Sequence, residues 1–197
     1  YKKPFINKKN SNNGFIKCTK LRHPIIERIR TNVEYIPHDI TLGKTDKNNL
    51  DGMLLFGLNS SGKSALMKAI GLSVIMAQIG YYVPAESFEY YPYDMLFARI
   101  TGNDNIFKGL SSFTLEMTEL RAILKRANNK TLVIGDEVCR GTEVISGNAI
   151  VAATILNLAK SGSTFIFATH LHDVANMRRI KDLPNVKAFH LSVKYDK

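Results

Sequence analysis

The sequence has few of the features that mark secreted or membrane-embedded proteins. It contains only two cysteines, Cys18 and Cys139. These are too few for a disulfide framework and show no paired metal-ligand spacing, which is typical of a reducing intracellular compartment. Its longest apolar run, Ala69 to Ala77, is interrupted by Gly71 and Ser73 and is far shorter than the roughly 20 residues that span a bilayer. We therefore expect neither a disulfide-rich secreted domain nor an integral membrane protein.

The sequence begins with Tyr1 rather than Met, and its first residues are polar, so we expect no signal peptide. Its first 14 residues are rich in Asn, Lys and Gly and have no apolar core, which favours a flexible entry segment. With 45% hydrophobic and 22% charged residues, the 197-residue chain has enough apolar surface for one ordinary core. We expect residues 1–20 to be a flexible basic segment, residues 21–197 to be one domain, and the chain to be a piece of a longer protein.

Positive charge is concentrated near the amino terminus. The formal net charge is +10, and residues 1–30 hold nine Lys or Arg against a single acid, Glu27. Residues 31–197 are nearly balanced, with 18 basic and 16 acidic groups. Such a segment is either a solvated flank or a contact for DNA phosphates, and the sequence leaves both interpretations open.

From Gly52 onward, apolar strands alternate with helical stretches. This alternation favours an α/β fold with a largely parallel central sheet flanked by helices. The stretch Lys63–Gly80 is apolar nearly all round, so we expect it to be buried beside the sheet. The other predicted helices are 113–127 and 146–161, and the predicted strands are 14–21, 53–56, 93–100, 131–134, 164–168 and 186–193, with a short helix or turn at 24–30 and a polar loop at 45–51.

An uninterrupted G-x-x-x-x-G-K-[ST] pattern, Gly57 to Ser64, lies between a predicted strand and a predicted helix. Its glycines let successive N–H groups turn inward, and the helix N-terminus adds partial positive charge, so the loop is suited to phosphates. Lys63 is expected to reach the β and γ phosphates, and the Ser64 hydroxyl to coordinate Mg²⁺. The pattern predicts a P-loop for ATP or ADP with Mg²⁺, formed by Gly57, Leu58, Asn59, Ser60, Ser61, Gly62, Lys63 and Ser64.

Two other predicted strands end in polar pairs, Asp136-Glu137 and Thr169-His170. Because parallel α/β sheets bind ligands at the carboxyl ends of their strands, these pairs are expected near the phosphates. Asp136 suits the Mg²⁺ site, Glu137 suits activation of the attacking water, and His170 suits a sensor of the γ-phosphate. A charged turn and a structural histidine are the simpler alternatives. Zinc at His170 is not expected, because no third or fourth ligand has suitable spacing.

Taken together, these residues resemble the ATPase domain of the MutS family of DNA mismatch repair proteins. The similarity covers about residues 20–193, in the family's order, and its variants resemble the organellar and giant-virus branches more than the bacterial one. Leu58 stands where the family usually has Pro, and Ser60-Ser61 where it has Met-Gly. Besides the phosphate loop, the matching segments are 22–24, 35–40, 76–80, 83–86, 109–120, 136–142 and 168–170.

The resemblance implies roles that the residues alone do not predict. It implies an ABC-type P-loop ATPase that hydrolyses ATP in a composite site at a dimer interface, with an identical or a paralogous partner. Tyr35, followed by Ile36, would stack on adenine, and Ser111 would reach the γ-phosphate of the partner's nucleotide. The loop 140–142 would lie at that interface. Turnover would be coupled to recognition of mismatched DNA by domains outside this chain, in an intracellular compartment such as a nucleus, an organelle or a viral factory, without a membrane partner.

Three other functions share some of these features. An ABC-type subunit of a transporter or another machine would carry Leu-Ser-Gly-Gly-Gln, whereas this chain has Leu-Ser-Ser-Phe-Thr at 110–114. A small-molecule kinase could use the same loop, although Asp136-Glu137 suits water as the nucleophile better. A non-catalytic DNA-binding or interaction module with a relic loop is disfavoured by the retention of Lys63, Ser64 and His170.

Overall fold

The structure is a computed structural model that describes residues 1–8, 12–29, 35–58, 61–99, 112–139, 143–168 and 172–192. Strands and helices alternate in its second half, as the sequence predicts. The strands are β1 (Phe5–Ile6), β2 (Phe15–Leu21), β3 (His38–Thr45), β4 (Asn48–Leu50), β5 (Gly52–Gly57), β6 (Ser87–Tyr91), β7 (Met95–Arg99), β8 (Thr131–Asp136), β9 (Thr164–Ala168) and β10 (Val186–Leu191). The helices are α1 (Lys63–Gln78), α2 (Ser112–Arg126), α3 (Val144–Ser161), α4 (His172–Asn176) and α5 (Arg178–Lys181), with a 3-10 turn at Ile26–Arg28.

One sheet consists of five parallel strands in the order β10-β5-β9-β8-β7. Strands β5, β8 and β9 are apolar and buried on both faces, as expected for parallel strands covered by helices. In the register of the sheet, Leu55 of β5 lies level with Ala168 of β9, which in turn lies level with Asp136 of β8. The predicted α/β fold with a largely parallel central sheet is confirmed.

The second sheet has the order β1-β6-β2-β3-β4 and was not foreseen as a unit. Its pairings are antiparallel except for β1 with β6. Strand β6 was not predicted, although its buried Phe88 and Tyr90 alternate with less buried neighbours. Strand β4 lies inside the predicted loop 45–51, where the Asn48 side-chain amide donates to the Gly43 carbonyl and closes a tight hairpin.

Helix α1 lies between the two sheets. It contacts β2 of the mixed sheet and β5, β8 and β9 of the parallel sheet. Its buried residues, among them Met67 and Ile70, belong to a core that includes side chains of both sheets. The helix ends at Gln78 because Gly80 adopts φ +86 and donates its N–H to the Ala77 carbonyl. Because one sheet packs against each of two sides of α1, the helix is apolar nearly all round.

Helices α2 and α3 cover the opposite face of the parallel sheet, over a second core. Helix α3 is long and apolar enough to cross a membrane by length and composition alone. Val151, Ile155 and Leu158 of this helix are fully buried in the second core together with Phe165 and Phe167 of β9. Packing within the domain accounts for the apolar residues on the buried side of α3, whereas Val144 and Ile145 at its start are exposed.

The amino-terminal residues differ from the expected flexible segment 1–20. Strand β2 begins at Phe15, and Phe15, Ile16 and Cys18 are buried in the mixed sheet. Lys2 also exchanges backbone hydrogen bonds with Val83. The strand buries its apolar residues while Lys17 and Lys20 stay exposed, so its lysines do not prevent it from packing into the fold. The folded part of the chain therefore starts before residue 21.

Candidate functional site

The loop between β5 and α1 lies at the carboxyl edge of the parallel sheet. Gly57 adopts φ +150, and a Cβ atom there would collide with the carbonyl oxygen of Leu191 and approach the Ser61 hydroxyl to 2.9 Å. Gly62, the residue before α1, adopts φ +94. Both positions therefore require glycine, as the motif predicts. Leu58 is 73% exposed.

The Lys63 side chain folds back over this loop. Its ammonium donates to the Gly57 carbonyl at 2.7 Å and to the Leu58 carbonyl at 2.9 Å. Lys63 is buried, with only 7% of its surface exposed. A buried ammonium at the start of a helix makes this edge of the sheet electropositive.

Two groups of the loop remain open to an anion. Among the residues that the structure describes, no side chain caps the N-terminus of α1, so the first N–H groups of the helix keep their capacity to donate to a ligand. The Ser61 hydroxyl is buried and has no hydrogen-bond partner among the described residues. Ser64 follows Lys63 in the first turn of α1 and is half-buried. Phosphate oxygens would fit such a set of donors.

The predicted acidic pair lies at the same edge of the sheet, two strands from the loop. Asp136 ends β8 and is 5% exposed. Two strand spacings separate β8 from β5, or about 10 Å. The Glu137 N–H donates to the Ala168 carbonyl at 2.9 Å, which ties the residue after β8 to β9. The structure thus brings Lys63, Asp136 and Glu137 to one edge, with the end of β9 between them.

A contact that the sequence did not predict connects α2 to the loop after β8. The Glu116 carboxylate, which is buried, accepts a hydrogen bond from the Cys139 N–H at 2.9 Å. Arg99, at the end of β7, forms ion pairs with Glu116 and Glu119. Burial and the nearby Glu116 raise the pKa of the Cys139 thiol to about 11, so the thiol is neutral at pH 7 and no nucleophile.

Tyr35 lies in a separate aromatic cluster. Its ring makes edge contacts with the rings of His23 and His38, with centroids 6.3 and 6.2 Å apart. Burial raises the pKa of Tyr35 to about 12 and lowers the pKa of both histidines. The adjacent Ile36 is 60% exposed. Nothing in the described contacts joins this cluster to the phosphate loop, so stacking of Tyr35 on adenine stays a prediction.

Several predicted site residues lie outside the described residues. They are Asn59, Ser60, Ser111, His170 and the loop 140–142. Within the described ranges, no group of three or more His, Cys, Asp or Glu side chains is arranged to hold a metal.

Comparison with known proteins gives the same family as the resemblance. The sequence model for the family described as MutS domain V matches residues 53–197. The chain is 48% identical to a putative DNA mismatch repair protein mutS homolog of Acanthamoeba polyphaga mimivirus, over 100% of the chain and 20% of that protein. It is 47% identical to the mitochondrial DNA mismatch repair protein mutS homolog of Sarcophyton glaucum, over 91% of the chain and 17% of that protein. It is 40% identical to the DNA mismatch repair protein MutS of Fusobacterium nucleatum, over 89% of the chain and 19% of that protein.

The chain spans about one fifth of the length of these relatives. The giant-virus and mitochondrial proteins are more similar to it than the bacterial one, which agrees with the branch suggested by the sequence. The match to MutS domain V also distinguishes the chain from the transporter subunit considered above.

Proposed function

The chain belongs to the MutS family of DNA mismatch repair proteins, and from this premise we propose that it is the ATP-binding and ATP-hydrolysing part of such a protein. The fold proposed is the ABC-type variant of the P-loop NTPase. The observation that carries the proposal is the Lys63 ammonium, held by the Gly57 and Leu58 carbonyls at the sheet edge where Asp136 also ends its strand.

The phosphate loop supplies donors to the triphosphate. Within the described part of the chain, no side chain caps the N-terminus of α1 and no group bonds to the Ser61 hydroxyl. The Lys63 ammonium can exchange its two carbonyl partners for phosphate oxygens. Because a charge-assisted bond to an anion is stronger than one to a neutral carbonyl, this exchange is favourable. Asn59 and Ser60 complete the loop.

The donor set suits Mg²⁺. The Ser64 hydroxyl and the Asp136 carboxylate are hard oxygen ligands, and Asp136 is buried at the edge where the phosphates would lie. When bound, Mg²⁺ neutralises phosphate charge and orients the nucleotide. The residues that would hold it are Ser64 and Asp136.

Hydrolysis is assigned to the residues that follow β8 and β9. Glu137 orients and deprotonates the attacking water, and His170 senses the γ-phosphate. Lys63 stabilises the charge that spreads over the phosphate oxygens in the transition state. The end of β8 and the bond from the Glu137 N–H to the Ala168 carbonyl hold the backbone of Glu137 before the reaction, which limits the reorganisation that the reaction requires.

The remaining part of the proposal concerns the whole protein. Two ATPase units, from identical or paralogous chains, would enclose each nucleotide, with Ser111 contributed across the interface and Tyr35 stacked on the base. Turnover would then be coupled to recognition of mismatched DNA by other domains. The names of the relatives, which are DNA mismatch repair proteins, support the link to mismatched DNA.

ATP turnover by the full chain, measured with and without Mg²⁺, tests the proposal. We expect Mg²⁺-dependent release of phosphate that Lys63→Ala lowers by 10²-fold or more, on the order expected for removing transition-state electrostatics. The matched control is Lys160→Ala, since Lys160 is exposed in the last turn of α3 and should leave turnover unchanged. Equal turnover in the Lys63→Ala and unaltered chains would contradict the proposal.

A further inference from the structure

We propose that Glu116 is a positioning residue for Glu137, because its carboxylate fixes the conformation of the loop that follows β8. The inference rests on the proposed ATPase function, in which Glu137 activates water. It adds a residue of α2 that neither the motif nor the comparisons assign to the site.

The loop from Glu137 to Cys139 is held at both ends by hydrogen bonds. At its start, the Glu137 N–H donates to the Ala168 carbonyl at 2.9 Å. At its end, the Cys139 N–H donates to the Glu116 carboxylate, also at 2.9 Å. The first bond fixes the loop to β9, and the second fixes it to α2. Glu116 is thus the side chain that holds the far end of this loop.

The backbone of this loop needs such support. Glu137 adopts φ +51 and Cys139 adopts φ +63, in the left-handed region that favours glycine. A non-glycine residue in this backbone region is strained and keeps its conformation only where the surroundings fix it. The Glu116 bond is buried and charge-assisted, and both properties strengthen it.

Arg99 fixes Glu116 in turn. The guanidinium lies 3.8 Å from Glu116 and 2.6 Å from Glu119, so the end of β7 holds the α2 face that carries both acids. Glu119 is paired with the same arginine, but its side chain is 41% exposed. Helix α2 begins directly after Ser111. A shift of α2 on contact with a partner's nucleotide would therefore move Glu116 and, through the Cys139 N–H, the loop of Glu137.

Glu116→Met removes the hydrogen-bond acceptor at similar side-chain length, whereas Glu116→Gln keeps an oxygen that can accept from Cys139. Glu119→Gln is the matched control on the same helix and the same arginine. Two quantities are measured on the full chain, namely amide hydrogen exchange of Cys139 without nucleotide, and kcat with the Kd for ATP. We expect Glu116→Met to speed Cys139 exchange by about tenfold or more and to lower kcat by roughly 10- to 100-fold, with Kd changed less than about threefold.

In Glu116→Gln, exchange and kcat should stay within about threefold of the unaltered chain, since the acceptor is retained. In Glu119→Gln, Cys139 exchange and kcat should also stay within about threefold of the unaltered chain. Unchanged Cys139 exchange in Glu116→Met, or an equal loss of kcat in Glu119→Gln, overturns the inference. If Glu116→Met does not fold, a loss of kcat in Glu116→Gln with Cys139 protection intact overturns it as well. Because the exchange measurement needs no nucleotide, absence of ATP turnover in the unaltered chain counts against the proposed function alone.

Discussion

At the scale of single residues, the proposed site places a cation, Lys63, and an acid, Glu137, at one edge of the sheet. Lys63 is a buried cation whose ammonium is satisfied by two loop carbonyls, so it is in place before any phosphate arrives. Glu137 is an acid on a loop whose backbone N–H is tied to β9. The cation would favour binding of the phosphates, whereas the acid would act only on the water that attacks them. A substitution of Glu137 should therefore change turnover alone, whereas a substitution of Lys63 should weaken both binding and turnover.

Glu137→Gln should leave ATP binding nearly intact and slow turnover by about 10²- to 10⁴-fold, the usual contribution of a general base. The amide can still hydrogen-bond to a water but cannot accept its proton. Equilibrium binding of ATP and steady-state phosphate release measure the two effects. Glu86→Gln is the control, because Glu86 is exposed and lies on the side of the mixed sheet. Normal turnover in Glu137→Gln would remove the residue from this role.

His23 makes stability depend on pH in a direction that the structure fixes. Its buried ring accepts hydrogen bonds at Nδ1 from the Ile25 and Ile26 N–H groups. Burial, helped by the nearby Lys68, lowers its pKa. The unfolded chain, with a histidine pKa of about 6.5, then takes up the proton first as the pH falls. The contribution of His23 is therefore complete above about pH 6.5 and is lost as the pH falls toward the lowered pKa of the folded state.

His23→Asn should flatten this dependence, because an Asn oxygen can accept the same N–H groups without titrating. Free energies of unfolding from urea titrations between about pH 8 and 5 provide the measurement. Part of the slope should remain, since burial also lowers the pKa of His38. An identical slope in the variant and the unaltered chain would show that His23 is not the titrating group.

At the scale of elements, α1 carries the phosphate loop on a helix buried between two sheets. Ile70 is fully buried, whereas Ile75 of the same helix is 46% exposed. Ile70→Ala should lower the free energy of unfolding by about 2–5 kcal/mol, because it leaves a cavity in the core shared by the sheets. Ile75→Ala should cost less than about 1 kcal/mol. Denaturant titration compares the two, and an equal loss in both variants would contradict the buried position of α1.

The parallel sheet could be predicted from the sequence because each of its central strands is a short, continuous apolar run. The segments 53–56, 131–134 and 164–168 all lie inside strands of the structure. The mixed sheet was harder to predict, because its strands carry polar and charged residues. Strand β4 contains two asparagines and depends on a hairpin turn, while the two-residue β1 forms only by pairing with β6. Such strands follow from tertiary contacts rather than from local preference.

The same distinction applies to the candidate site. The glycines, Lys63 and the acids after β8 could be predicted because they are local patterns next to apolar strands. The bond between Glu116 and Cys139 joins residues 23 positions apart, and the ring contact of Tyr35 with His23 joins two separate loops. No periodicity or spacing indicates such pairs. Such contacts can be identified only from the positions of α2 and of the mixed sheet in the folded structure.

At the scale of the whole molecule, Lys63, Asp136 and Glu137 lie at one edge of the parallel sheet within a single chain. The proposed Ser111 contact would come from a second chain. A site divided in this way cannot be completed by one copy. Its activity must then follow the fraction of dimer, which rises with protein concentration by mass action. ATP concentration enters the same equilibrium, because a nucleotide bound between two chains stabilises their association.

Specific ATPase activity should therefore rise over a roughly hundredfold range of protein concentration and level off as dimers saturate. Mixing two variants that are each expected to be inactive gives a sharper form of this test.

In a mixed dimer, one chain carries Lys63→Ala and the other carries Ser111→Arg. One of its two sites then combines an intact phosphate loop with an intact Ser111. Random pairing of equal amounts should restore about a quarter of the normal sites. Sedimentation with and without ATP would report the dimer directly. A flat specific activity together with no recovery on mixing would mean that each chain hydrolyses ATP alone, and the composite site would have to be abandoned.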